Sequence, residues 1–298
     1  MRFLSDRAES FADICVIMPL KTKADGAMTV GNGTKLPVWS TIGRAYGLVF
    51  ANLAAFAALA ALPVGLSYLV LLAGDSLAAR LELHILARLL LEQPLRWLFW
   101  IVFAVAWHRY VLLGRPQDRR WLGFRFGRRE LRFFLYALAL ALPFVVAFLP
   151  LFIVPPLLQK SHWTTQLGAM SGVGLVMLVI FAGGFFLSVR FSFILPSVSV
   201  DRPAGLDTAW AETRGSGWRI FAATMLGAIP LGVLDQLLRA LIIELGGRLA
   251  AGGTGLRALL AALPFGQLLI SFLFTAILVS ILSLAFRARS GWQPPATN

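Results

Sequence analysis

The residues best suited to metal or redox chemistry are three histidines and one cysteine, and their placement does not predict a shared site. Metal ions are held by converging His, Cys or carboxylate ligands. We expect His84 on an outer interfacial helix, His108 at an inner helix end and His162 in an outer loop. The single Cys15 excludes an internal disulfide and a multi-cysteine metal site. The sequence therefore predicts no metal site and no cofactor.

Motifs that bring catalytic groups together are also missing from the sequence. There is no GxSxG elbow for a serine nucleophile. There is no GxxxxGK[ST] loop for nucleotide phosphates and no GxGxxG after a strand. We therefore expect no catalytic residue and no enzymatic activity.

A few polar residues interrupt the apolar segments. Gln267 and Ser271 lie one helical turn apart in the last apolar run, where they could line a polar pocket or hydrogen-bond a neighbouring helix. Asp235 and Arg239 lie four residues apart, so they can pair on one helix face at the outer surface. The pocket and the interhelical bond both stay open at this point.

The stretch 190–219 is the longest polar interruption in the C-terminal half. A short helix over 209–213 is expected, with Asp207 as its N-cap and Gly215 ending it. Its charged and aromatic side chains suit a flat position at the inner interface: Trp210 and Trp218 beside Arg214 and Arg219. The stretch is either a structural turn back into the membrane or a docking site for lipid headgroups or a partner.

Composition places these residues in a membrane protein. Of the 298 residues, 58% are hydrophobic and 14% charged, whereas soluble domains are about half apolar and about a quarter charged. The net charge of +13 could suggest nucleic acid. However, Lys and Arg cluster beside apolar spans, which indicates anionic lipid headgroups and membrane orientation instead. We expect no nucleic-acid partner.

Apolar runs predict an all-α, polytopic integral membrane helical bundle of about six transmembrane helices plus interfacial amphipathic helices. Since a span needs about 20 residues, we place the spans at 46–74, 95–113, 131–155, 168–191, 220–238 and 265–286. Pro63 is expected to bend the first span, and residues 75–92 to form an interfacial helix. Trp97, Trp100 and Trp107 are expected at the headgroup level. The chain then divides into a flexible tail 1–45, a membrane domain 46–288 and a C-terminal tail 289–298.

The distribution of basic residues predicts the orientation. This arrangement leaves 20 Lys and Arg on one side and seven on the other, so both termini should be cytoplasmic. Arg109 and Arg190 end two of the spans and could orient them, reach lipid phosphates or cap helix carbonyls. Together with the loop that follows Arg109, they suggest contact with anionic lipid or a membrane-protein partner. The candidates for that contact are Arg109, Arg115, Arg119, Arg120, Arg125, Arg128 and Arg129.

A weak repeat accompanies these spans. An arginine precedes each odd-numbered span at intervals of 88 and 87 residues, and each of those spans contains a proline: Arg44, Arg132 and Arg219, with Pro63, Pro143 and Pro230. Three related helical hairpins would give this pattern. Orientation rules alone would also place arginine at those ends.

The stretch 190–219 resembles the membrane domain associated with glycerophosphoryl diester phosphodiesterases and its uncharacterised bacterial relatives, over roughly 185–235. The residues that match are Arg190, Pro196, Trp210, Thr213, Gly215 and Trp218. The resemblance implies a six-helix protein of the bacterial inner membrane, with a structural role for these residues at the inner interface. In some relatives a soluble barrel carries catalysis, but this chain has no room for it, so no catalytic residue is implied.

The sequence therefore predicts a non-catalytic scaffold or accessory subunit that contacts anionic lipid or partner proteins through its basic inner loops. The alternative is a transporter or lipid-handling permease, which proline-bent helices and a pocket at Gln267 and Ser271 would fit. A polar cavity reaching into the membrane would favour this alternative. An integral-membrane phosphodiesterase would need converging carboxylates, which the sequence does not suggest.

Overall fold

The computed structural model describes residues 36–82, 85–114, 126–160, 166–202, 205–249 and 254–294, and the regular elements in these ranges are all α-helices. Their bounds are α1 Val38–Ala51, α2 Leu53–Leu81, α3 Ile85–Leu113, α4 Arg128–Lys160, α5 Gln166–Phe191, α6 Ile194–Ser199, α7 Leu206–Glu212, α8 Gly217–Leu249 and α9 Thr254–Ser290. The all-α prediction is confirmed.

Four segments of the described chain are long and apolar enough to cross a membrane. They are Leu53–Leu77, Gly174–Ser199, Gly217–Leu245 and Ala262–Ser290. The second of these runs from α5 into α6. The chain thus has the helices of a membrane protein, while spans in α3 and α4, and with them the total of six, stay a prediction.

The long helices pack as consecutive pairs around α9. The pairs α2–α3, α4–α5 and α8–α9 correspond to the three expected hairpins. Helix α9 also contacts α1, α2, α3 and α6, and small residues such as Ala276 and Ala285 are fully buried along it. Small side chains let neighbouring backbones approach closely. The core therefore lies along α9, with the α4–α5 hairpin at one side.

The packed part of the chain begins and ends differently from the expected membrane domain. Helix α1 starts at Val38, within the expected tail, and its Ala45 is fully buried. Leu36 is also buried, and its carbonyl accepts a hydrogen bond from Arg219 at 3.0 Å. At the other end, α9 continues to Ser290. The packed bundle therefore extends beyond the predicted membrane domain 46–288 at both ends.

The first expected span breaks at Asn52 and not at Pro63. Asn52 separates α1 from α2, and its side-chain oxygen accepts a hydrogen bond from Tyr110 at 2.8 Å. Pro63 lies inside the continuous helix α2. The Asn52 amide nitrogen donates to the Leu48 carbonyl at 2.7 Å, so the side chain at the break bonds a backbone carbonyl that the interrupted helix leaves free. Tyr110, 58 residues away, holds that side chain through its oxygen.

The expected interfacial helix over 75–92 is divided between two long helices. Its first part continues α2 to Leu81, and its last part belongs to α3. Glu82 follows α2 in the left-handed region, with φ 48°. Because Leu, Ala and Arg are strong helix formers, α2 continues past the end of the apolar run and through the charged residues that follow it.

Candidate functional site

The stretch 190–219 closes one end of the bundle. We call residues 192–202 and 205–216 the cap, and this end of the molecule the capped end. The cap contains α6 and α7, and α6 packs against α3, α4 and α9. Phe193 and Ile194 are fully buried there, so the start of the cap belongs to the packed core. The flat interfacial position of the short helix stays a prediction, and the rings of Trp210 and Trp218 are exposed. The predicted short helix is present as α7, but Gly205 and not Asp207 occupies its N-cap position.

Three of the family-motif residues contact one another at the capped end. The Arg190 guanidinium stacks on the Trp210 ring, 4.0 Å from the centroid, which is favourable cation–π geometry. The Thr213 hydroxyl lies 2.9 Å from the carbonyl oxygens of Arg190 and Ala209, to which it can donate its proton. Thr213 is fully buried. The cluster ties the end of α5 to α7.

The other motif residues shape the chain around this cluster. Gly215 has φ 75° and makes the turn from α7 into α8. Trp218 is 66% exposed, and its ring lies 4.6 Å from that of Phe186. Pro196 is buried in α6. A Cβ at Gly217 would lie 2.7 Å from Arg190 Cδ, so any larger residue at that position would have to displace the arginine side chain.

Two of the predicted lipid-contact arginines bind the cap itself. Arg109 Nη1 donates to the Ser199 carbonyl at 2.9 Å, and Arg129 Nε donates to Asp201 Oδ1 at 2.8 Å. The hydrogen bond from Arg129, followed by the charges of Arg129 and Arg109, lowers the pKa of Asp201 despite its partial desolvation. Arg128 is exposed. The remaining loop candidates, Arg115, Arg119, Arg120 and Arg125, lie outside the described residues.

Side chains of α3 and α9 form a line of hydrogen bonds, which we call the α3–α9 seam. The pairs are Trp100 Nε1 with Thr275 Oγ1 at 2.6 Å, Trp107 Nε1 with Ser280 Oγ at 2.9 Å, and His108 Nδ1 with Ser283 Oγ at 2.7 Å. Trp107 is fully buried, so its ring does not contact lipid headgroups, and its level in the membrane stays a prediction. Polar groups surrounded by lipid or protein must form hydrogen bonds within the protein. The seam therefore provides partners for the polar side chains of α3 and α9 that it contains.

Of the three histidines considered as metal ligands, His108 is the one that the structure describes. His108 is occupied in the seam, while His84, His162 and Cys15 lie outside the described residues. Within the described ranges, no group of three or more His, Cys, Asp or Glu side chains could hold a metal ion.

Beside the seam lies a cleft of about 670 Å³, between the α4–α5 hairpin and helices α3, α8 and α9. Ala137, Ala141 and Phe185 line it on the hairpin side, and Phe274 and Leu278 line it on α9. It also reaches both Trp100 and His108 of α3, which are two turns or about 12 Å apart. The result is a largely apolar cleft that runs along the helices.

One end of the cleft carries a charged cluster. Arg239 Nε donates to Asp235 Oδ2 at 2.8 Å, which confirms the predicted pair. With its amide oxygen facing Arg239, Gln267 accepts from the same Nε at 2.8 Å. Among the described residues, Asp235 Oδ1 is buried without a hydrogen-bond partner. Asp235 and Arg239 line the cleft, so the pair is part of a site and not only of the outer surface.

The structure gives Gln267 and Ser271 different roles. Gln267 bonds a neighbouring helix through Arg239, whereas Ser271 lines the cleft and donates its hydroxyl to the Gln267 backbone carbonyl at 3.0 Å. Sequence reasoning offered a pocket at Gln267 and Ser271, and Ser271 does line the cleft, but the length and the apolar lining of the cleft were not expected. A second signal was the ionisable pair late in an apolar helix, since such groups are costly in a membrane.

Comparison with known proteins gives no relative: no family model, no curated protein and no solved structure matches the chain. The resemblance to the phosphodiesterase-associated membrane domain therefore stays a prediction.

Proposed function

We propose that the protein is a lipid-handling membrane protein without catalytic activity, which takes up a lipid from the surrounding bilayer into the cleft between the α4–α5 hairpin and α3, α8 and α9. The observation that carries the proposal is the cleft itself. Its volume of about 670 Å³ lies within the range of about 300–1,000 Å³ common for ligand sites. This was the alternative among the functions considered from the sequence. The support expected for it was a polar cavity, whereas the cleft is largely apolar with a charged end, which suits a lipid and not a polar solute.

The shape and lining of the cleft suit an amphiphile. Along α8 the lining runs from Thr224 to Arg239, which is about 22 Å of helix and most of a hydrocarbon core of about 30 Å. Apolar side chains predominate, and Asp235 and Arg239 lie at one end. A cleft with a long apolar part and one charged end matches an acyl chain joined to a polar headgroup.

The membrane arrangement forms part of this proposal. We place six spans in a bacterial inner membrane with both termini in the cytoplasm, because α3 and α4 are as long as the apolar spans and arginines gather at the capped end. The charged end of the cleft then faces the opposite leaflet.

A scaffold that docks anionic lipid or a partner protein remains the second candidate. It is supported by Arg128 and Arg132, which are exposed at the start of α4. Arg109 and Arg129 are weaker support, because their guanidinium groups already bind Ser199 and Asp201. Replacing Arg128 and Arg132 with Gln should weaken binding to vesicles containing phosphatidylglycerol if the scaffold is correct, and should not change lipid retention in the cleft.

The proposal can be tested by filling the cleft with a large side chain. Ala141 lines the cleft, whereas its neighbour Leu142 is 60% exposed on the outer side of α4. Ala141→Trp should therefore displace the bound lipid, and Leu142→Trp should not. Native mass spectrometry of the two purified variants, compared with the unchanged protein, would measure lipid retained per molecule.

Equal lipid retention in Ala141→Trp and Leu142→Trp would contradict the proposal, provided that both variants are monodisperse. A second readout is exchange of a fluorescent phospholipid between proteoliposome leaflets. If the cleft moves lipid and does not only store it, Ala141→Trp should reduce the exchange rate and Leu142→Trp should leave it unchanged.

A further inference from the structure

We infer that the Arg239 guanidinium binds the phosphate of a phospholipid headgroup, with Asp235 and Gln267 holding it in position. This inference rests on the proposed function and specifies the substrate class: a phospholipid and not a neutral lipid. It is carried by three observations, which are the depth of Arg239 along α8, the contacts that fix its guanidinium, and its place at the end of an apolar cleft.

The position of Arg239 along α8 corresponds to the level of the lipid headgroups. Arg239 lies 22 residues beyond Gly217, at which α8 begins beside the cap. At 1.5 Å per residue this is about 33 Å, close to the hydrocarbon thickness of about 30 Å. If the capped end lies at one interface, Arg239 lies at the other. A charge at this level need not enter the hydrocarbon, and it can meet lipid phosphates directly.

The contacts of Arg239 orient its guanidinium without enclosing it. Asp235 Oδ2 and the Gln267 amide oxygen both accept from Nε at 2.8 Å, so the inner edge of the group is fixed. Gln267 also approaches Nη2 at 3.3 Å. The side chain is still 53% exposed, and within the described part of the chain no further hydrogen bond engages Nη1. A planar fork with free donors is suited to phosphate oxygens.

Neighbouring charges belong to the same end of the cleft. Arg96 of α3 interacts electrostatically with Arg239, and Glu92, one turn earlier, interacts with Arg96. The second arginine raises the positive potential at Arg239, and the carboxylates of Glu92 and Asp235 offset part of it. Discrimination for phosphate therefore depends on the directed hydrogen bonds of Arg239 more than on net charge.

The position of this cluster also identifies the source of the lipid. The capped end carries Arg109, Arg129 and Arg190, whereas Arg239 lies at the opposite end of the bundle. Since arginine-rich ends face the cytoplasm, the headgroup bound by Arg239 belongs to the outer leaflet, and its chain extends along the cleft toward the cap.

The test compares a phospholipid with a lipid that lacks the phosphate. Purified protein is titrated with phosphatidylglycerol and with diacylglycerol of the same chains, and binding is measured by native mass spectrometry. The unchanged protein should bind phosphatidylglycerol about tenfold or more tightly, because its phosphate can accept a charge-assisted hydrogen bond that diacylglycerol cannot. Arg239→Gln should remove that preference, while Arg287→Gln, which also removes one positive charge at an exposed site, should retain it.

Three outcomes would overturn the inference. The first is an unchanged preference in Arg239→Gln, and the second is equal binding of both lipids by the unchanged protein. The third is displacement of phosphatidylglycerol by inorganic phosphate at equal concentration, since the site would then serve a free anion. If Arg239→Gln is not monodisperse, Arg239→Lys replaces it and should lose part of the preference because a lysine lacks the fork.

The same experiment keeps the two proposals apart. If both lipids bind equally and Ala141→Trp displaces both, the headgroup inference fails and the lipid cleft survives. If Ala141→Trp leaves the binding of both lipids unchanged, the cleft proposal fails, whatever Arg239→Gln does.

Discussion

The capped end and the charged end of the cleft use the same residue types for opposite purposes. At the capped end, Arg190 is buried against Trp210, and Arg109 and Arg129 bind Ser199 and Asp201. At the other end, Arg239 is half exposed beside a cleft, and Asp235 Oδ1 has no described partner. Arginine whose donors are used inside the protein stabilises the fold, whereas arginine with donors left over can bind a ligand.

The largest difference between the two regions should appear when an aromatic side chain is truncated. Phe193 is fully buried in the cap, so Phe193→Ala should lower the free energy of unfolding by about 3–5 kcal/mol. Phe274 lines the cleft and is half-buried, so Phe274→Ala should cost no more than about 1 kcal/mol. Thermal unfolding in one detergent, followed by tryptophan fluorescence, compares them. Equal losses would mean that the cleft is packed as tightly as the cap.

Replacing either of two glycines of α8 with alanine should change the free energy of unfolding, but in opposite directions. A Cβ at Gly217 would lie 2.7 Å from Arg190 Cδ and displace the arginine from Trp210, at a cost of about 1–3 kcal/mol. A Cβ at Gly232, which lines the cleft, would meet nothing within 4 Å. Because glycine inside a helix is unfavourable, Gly232→Ala should add about 0.5–1 kcal/mol. Melting temperatures that fall for both variants would refute this contrast.

The smallest expected effect is the contribution of Asp201 to stability, which depends on pH. The pKa of Asp201 is lowered in the folded protein, so its stabilising contribution is complete above the ordinary value of about 4 and is lost as the pH falls through the lowered value. The side chain is 57% exposed, so the contribution should stay below about 1 kcal/mol. Asp201→Asn should melt at a lower temperature than the unchanged protein at neutral pH.

That difference in melting temperature should narrow progressively as the pH falls below about 4, and it should be smallest below the lowered pKa of Asp201, where the carboxyl group is also neutral in the folded protein. Asparagine tolerates the positive φ of 57° at this position, so backbone strain should not contribute to the difference in melting temperature. A difference that stays constant from neutral to acid pH would show that Arg129 and Arg109 contribute nothing through this carboxylate.

Local patterns were sufficient for some features of this molecule. The apolar runs predicted the long helices, and the four-residue spacing predicted the Asp235–Arg239 pair. The polar stretch 190–219 was recognised as a separate unit, and its short helix was placed within a few residues of α7. Each of these depends on interactions between residues close in sequence, which is why composition and spacing reveal them.

Features that depend on distant partners could not be predicted. The Asn52 side chain at the break between α1 and α2 is bonded to Tyr110, 58 residues away, and the buried Trp107 ring is bonded to Ser280, 173 residues away. The burial of the cap depends on α3, α4 and α9. The cleft is a space between helices, so its existence depends on how far the α4–α5 hairpin stands from the core, which no residue specifies alone.

The hydrogen bonds of the α3–α9 seam restrict how the molecule can move. Trp100, Trp107 and His108 are each bonded to a different turn of α9, so sliding or rotating α9 against α3 would break all three contacts together. One wall of the cleft is therefore a fixed frame. A change in the width of the cleft would therefore require displacement of its other walls, which are the α4–α5 hairpin and α8.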